Sequence, residues 1–99
     1  MRIIRHELDI IDYQTVWLPN DGYLLSVAQS RTDPNTAIDL WSNDLEYGEG
    51  CPKGIYVVGT GNPMPERLRD SVRKRDFIGT VITPIGLVWH VFDGPVVQP

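Results

Sequence analysis

The chain has 99 residues, 41% apolar and 22% charged, with nine glycines and eight prolines. That length fits one domain with a modest core and excludes a two-domain enzyme with separate cofactor and substrate halves. The formal net charge of −4 argues against a general duplex-DNA binder, whose affinity comes from neutralising phosphates.

Period-two patterns dominate. Along residues 3–10, Ile4, His6, Leu8 and Ile10 share one face and Arg5, Glu7 and Asp9 the other, which predicts a half-buried strand. Residues 15–18 form a short β-branched and aromatic run that stops at the turn residues Pro19-Asn20-Asp21-Gly22. Residues 23–29 predict a strand with Tyr23, Leu25 and Val27 on one face. After a turn at 31–35, residues 36–41 predict another, with Ile38 and Leu40 opposed to Ala37, Asp39 and Trp41.

Residues 42–53 read as an acidic, Gly-rich loop, and 55–60 as a compact apolar strand. Pro65 suits the first turn of a helix over 65–75, where Leu68 and Val72 share a face. Residues 77–83 and 87–92 predict two last strands, joined by Thr83-Pro84-Ile85-Gly86. Short strands recurring about every 10–12 residues indicate a mainly β, single-domain antiparallel sandwich or small barrel with at most one short helix. The domain spans residues 1–93, with a loosely held tail at 94–99. The expected core is Ile4, Leu8, Val16, Leu25, Val27, Leu40, Val57, Ile78, Val88 and Phe92.

Charge appears within the first six residues, no cleavage site follows, and no apolar run approaches a membrane helix. The lone Cys51 has no disulfide mate and no zinc-ligand spacing around it. The expectation is a soluble protein of a reducing cytoplasm, without metal or cofactor.

The segments Glu7-Leu8-Asp9-Ile10, Gln14-Thr15-Val16, Val58-Gly59-Thr60-Gly61-Asn62-Pro63-Met64-Pro65, Ile78-Gly79-Thr80-Val81 and Leu87-Val88-Trp89-His90-Val91-Phe92 resemble a family of small tailed-phage proteins of unknown function. The most specific pieces are the Gly-Thr-Gly-x-Pro-x-Pro loop and the Trp-His-Val-Phe end. Asn62 stands where that family has a histidine, and residues 33–50 and 66–75 are longer here. The resemblance implies a phage or prophage origin, a compact β-rich fold and expression inside an infected bacterium, and it implies no reaction.

Two charged segments compete for a functional role. Gly59, Thr60, Gly61 and Asn62 follow an apolar strand, where backbone N–H groups can approach a phosphate, although the same glycines also simply end a strand. Arg67, Arg69, Arg73, Lys74 and Arg75 come directly after, five of the nine basic residues. Guanidinium forks suit phosphate oxygens. Asp33, Asp39, Asp44, Glu46 and Glu49 form an acidic stretch with no base among them, a candidate surface for docking onto a basic host protein.

Trp89 is a candidate for stacking on a ligand ring, and it alternates with His90 across its strand. His6, on an apolar face, reads as a hydrogen-bonded core-edge residue. No nucleophile–base–acid spacing is present, so binding rather than catalysis is expected. The expected function is a phage accessory protein, without membrane or duplex nucleic-acid partners, that sequesters a nucleotide or other phosphorylated signal of host defence. Its ligand set is Gly59, Thr60, Gly61, Asn62, Arg67, Arg69, Arg73 and Trp89. The alternatives are a protein–protein inhibitor that docks through Asp39, Asp44, Glu46 and Glu49, or a virion accessory protein. Trp41 and Ala37, opposite an apolar face, add the expectation of a homo-oligomer.

Overall fold

The alternation of the first segment folds as expected. In the computed structural model, which describes residues 1–20, 22–69 and 76–97, β1 (Arg2–Asp9) buries Leu8 and turns Ile3 and Glu7 outward. It pairs antiparallel with β4 (Ala37–Asp44), which pairs in turn with β3 (Leu24–Gln29), giving a sheet of order β1-β4-β3. The second sheet holds β2 (Tyr13–Leu18), β5 (Cys51–Gly59), β6 (Phe77–Ile82) and β7 (Val88–Gly94) in the order β2-β5-β7-β6.

The two sheets enclose one core of Leu8, Ile38, Leu40, Ile55, Val57, Val81 and Val91. They meet along one side, where β3 lies against β6: the Gln29 amide donates to the Ile82 carbonyl, and Gly79 leaves room for Val27. The architecture is therefore a sandwich of two antiparallel sheets, and the small-barrel alternative is not realised.

β5 and β6 both run antiparallel to β7, so they are parallel to each other. Parallel strands need a crossover, and its described first part, residues 60–69, lies over the outer face of the second sheet. The short helix α1 (Glu66–Arg69) lies in this crossover. Its Leu68 packs with Tyr56, Val58 and Phe92 in a second apolar cluster, flanked by Tyr13 and Met64. Asp70 and residues 71–75, expected to continue the helix, lie outside the described residues.

Three local expectations are corrected. A bulge in β3 between Leu24 and Ser26 shifts its alternation, so Leu24 and Val27 face the core while Leu25 is 42% exposed. Half of the expected loop at 42–53 is strand. β4 continues through the buried Ser42, Asn43 and Asp44, and β5 starts at Cys51. The expected loose tail is tied down as far as Val97: Tyr56 Oη donates to the Pro95 carbonyl at 2.6 Å, and the Val97 N–H donates to Tyr13 Oη at 2.8 Å.

The β6–β7 hairpin, whose turn type the sequence left open, closes through Gly86 N–H to Thr83 O at 2.9 Å. Pro84 fits the first turn position, and Gly86 takes the positive φ of 88° that follows.

Candidate functional site

β2 pairs with β5 only from Tyr13–Tyr56 to Leu18–Cys51. Past Tyr56, the last residues of β5 keep β7 on one side, while on the other the Val57 N–H meets only the Asp12 carbonyl, at 3.3 Å. An open cleft of about 590 Å³ forms at this exposed end of β5. Its floor is Val57, Val58 and Gly59, and the start of the crossover, from Asn62 to Glu66, forms its far wall.

Aromatic groups dominate the remaining walls. The Tyr13 and Tyr56 rings sit 5.0 Å apart, tilted by 57°, and Trp89 closes the side next to Gly59. Trp89 is half-buried, and its Nε1–H is buried without a hydrogen-bond partner. Asp12 and Glu66 are the ionisable acids of the lining, and no cationic side chain is among the described lining residues.

The loop geometry explains its glycines. Asn62 N–H donates to Gly59 O at 3.1 Å, closing a tight turn with Gly61 at a φ of 86°. A Cβ on Gly59 would stand 2.7 Å from Asn62 Nδ2 and 3.2 Å from the Trp89 ring, so glycine is what lets these groups close around the strand end.

Of the residues singled out in the sequence, Gly59, Asn62 and Trp89 meet in this cleft. Thr60 and Gly61 form the exposed tip of the turn outside it. Thr60 Oγ1 bonds His90 Nε2 at 2.7 Å, and Thr80 Oγ1 bonds His90 Nδ1 at 2.9 Å, which fixes the imidazole on the outer sheet face. Arg67 and Arg69 lie on α1, one and three residues past the lining residue Glu66; their side chains are outside what the structure describes, and Arg73 lies outside the described residues.

Sequence reasoning missed Tyr13, Tyr56 and Met64 as wall residues. Their signal was only aromatic or apolar character in strands and loops, which core packing shares.

The acidic stretch does not form one surface. Asp39 is buried on the outer face of the first sheet, where Arg5 reaches its carboxylate at 2.8 Å and the Arg31 N–H donates at 3.3 Å. Burial pushes its carboxyl up, and the Arg5 and Arg31 contacts outweigh that to hold it below the usual carboxylate range. Asp44 is also buried and accepts from Arg2 at 2.6 Å, Asn20 at 2.8 Å and the Glu46 N–H at 2.7 Å. Its carboxyl is held down to about 2, first by Arg2. Two of the four expected docking acids are thus consumed by internal pairs, leaving Glu46 and Glu49 exposed.

His6 matches its expected place at the core edge: its Nε2 lies 2.7 Å from Ser42 Oγ, and burial lowers its pKa. Cys51 is a half-buried free thiol, and among the described residues no cluster of three metal-ligating side chains occurs. No described helix is long and apolar enough to cross a membrane.

Fold and cleft together define a small β-sandwich with an aromatic pocket at an open strand end. The chain belongs to the family DUF7352, a domain of unknown function, whose match covers residues 1–99. No curated protein and no solved structure matches it.

Proposed function

We propose that this protein is a binding module whose cleft takes the flat ring of a nucleotide-like ligand, with the arginines at 67, 69 and 73 taking its phosphate. The observation that carries this reading is the cleft wall. Tyr13, Tyr56 and Trp89 all line a cleft of about 590 Å³, a volume within the roughly 300–1,000 Å³ range of small-molecule sites.

Aromatic walls stack with heterocyclic rings. The carboxylates of Asp12 and Glu66 suit exocyclic amino groups. Those same acids disfavour a phosphate inside the cleft. The arginines of the crossover, which starts at its rim, supply the opposite charge.

In the phage setting that the family resemblance implies, such a module captures a phosphorylated signal of host defence and removes it by binding, without turnover. The docking alternative loses Asp39 and Asp44 to internal ion pairs and is not favoured.

A thermal-shift screen with mono-, di- and cyclic nucleotides tests the reading. A true ligand at 100 times its Kd raises stability by about 2.7 kcal/mol. Arg69→Ala combined with Arg73→Ala is expected to weaken binding about ten- to several-hundred-fold while leaving the fold intact. If no nucleotide shifts the melting temperature, or if the double variant binds as well as the unmodified chain, the reading fails.

A further inference from the structure

β1 is a free edge of the first sheet, and among the described residues no strand lies beyond it. The direction of its backbone groups follows from Gln14. That side chain donates to the Asp9 carbonyl at 2.7 Å and accepts from the Asp9 N–H at 3.2 Å. The N–H of Ala37, opposite Asp9, is meanwhile taken by the Asp33 carbonyl at 2.9 Å. Asp9 therefore turns its N–H and C=O away from β4. By two-residue alternation, Ile3, Arg5 and Glu7 do the same.

Edge strands of this kind are usually blunted by a proline, a bulge or a covering segment. β1 contains no proline, its register with β4 is unbroken over all eight residues, and the Gln14 amide caps it only at Asp9, which leaves Arg5 and Glu7 as the open positions. Its charges are divided along the strand, basic at Arg2 and Arg5 and acidic at Glu7 and Asp9.

We propose that β1 pairs antiparallel with β1 of a second copy, about a two-fold axis through His6. Opposed residues in such a pair share a sheet face, so odd positions meet odd and even meet even. An axis through Arg5 would set two arginines against each other, and an axis through Glu7 two glutamates. The axis through His6 sets Arg5 of each copy against Glu7 of the other, and Ile4 against Leu8.

The hydrogen-bonded positions of this pairing are Arg5 and Glu7, whose N–H and C=O groups point outward. Arg5 already holds Asp39 on the β4 side, so Glu7 of the second copy extends an existing run of alternating charge on the outer face. The result is a continuous six-stranded sheet with the order β3-β4-β1-β1-β4-β3. This pairing does not depend on what the cleft binds.

Sedimentation velocity of the intact chain is the first test. Between about 1 and 200 micromolar, a range that brackets typical weak association, the mass is expected to rise from 11.2 kDa toward twice that value. Glu7→Arg, with an unchanged β-sheet circular dichroism spectrum, is expected to return it to the monomer.

Register is read by cross-linking on a Cys51→Ser background. Residues facing each other at position 6 stand about 4.5 Å apart at Cα, within disulfide reach, so His6→Cys is expected to form a covalent dimer on mild oxidation. Leu8→Cys is expected to form no covalent dimer, since its mate is Ile4. A chain that remains at the monomer mass throughout overturns the proposal. So does a folded His6→Cys variant that fails to cross-link, or a dimer that cross-links at Leu8→Cys instead.

Discussion

Gly59 and Trp89 face each other across the β5–β7 ladder, with the indole ring 3.2 Å from where a glycine side chain would begin. This contact joins the strand end to the cleft wall. Gly59→Ala is expected to push Trp89 and the Asn62 amide outward, costing about 1–3 kcal/mol as overpacking. Thermal denaturation reads the stability loss, and the same variant is expected to lose ligand binding. An unchanged melting temperature would show that the wall yields freely.

Acid stability follows from Asp44, Asp39, His6 and Asp93. Asp44 has its folded pKa lowered from 3.8 to about 2, so its contribution is present above 3.8 and is lost as pH falls toward 2. His6, lowered by burial from 6.5, favours the neutral ring, and its contribution fades as pH falls from 6.5 through the folded value. Asp93 has the opposite sign: burial raises its pKa against the pull of Lys53, so its contribution is full below 3.8 and is lost as pH rises through the raised value. The melting temperature is expected to decline on acidification in two stages, with Asp44→Asn reducing the lower one, to which Asp39, also held below its usual range, contributes the remainder. A profile flat from neutrality to pH 3 would contradict this assignment.

Leu40 lies at the centre of the first sheet's inner face, fully buried between the sheets. Leu40→Ala is expected to cost about 2–5 kcal/mol in chemical denaturation, since both sheets are held against collapse into the cavity. Leu25→Ala, one strand away and exposed by the β3 bulge, is expected to cost far less.

The C-terminal segment rests on two phenols. Tyr56→Phe removes the donor to Pro95, and Tyr13→Phe removes the acceptor for the Val97 N–H. Each is expected to cost about 0.5–1.5 kcal/mol. Faster hydrogen exchange at Val97 in Tyr13→Phe checks the second contact directly.

Strand alternation was legible wherever one face is apolar, as in β1 and in the centre of β4. It failed where a bulge changes parity, because nothing in the run from Tyr23 to Gln29 marks the extra residue. The ends of β4 and β5 were hidden for chemical reasons. Ser42, Asn43 and Asp44 are polar yet buried, satisfied by partners distant in sequence such as Arg2, Asn20 and His6. Pro52 suggested a loop, but it lies in β5 before the pairing with β7 begins at Gly54, where its missing N–H has no ladder to break. At the site, the Gly-rich loop and Trp89 were visible as candidates. The cleft itself was not, because it exists only where β2 stops short of the end of β5, and strand length against a partner is a property of the tertiary structure.

The central claim is that the end of β5 binds a nucleotide-like ring. The most direct measurement is a nucleotide titration of the isotopically labelled chain, followed by amide and indole NMR shifts. Saturable shifts confined to Gly59, Asn62, Met64 and the Trp89 indole N–H, with Trp17 and Trp41 unmoved, are the expected result. Shifts absent across the whole panel, or centred on residues away from this cleft, would contradict it.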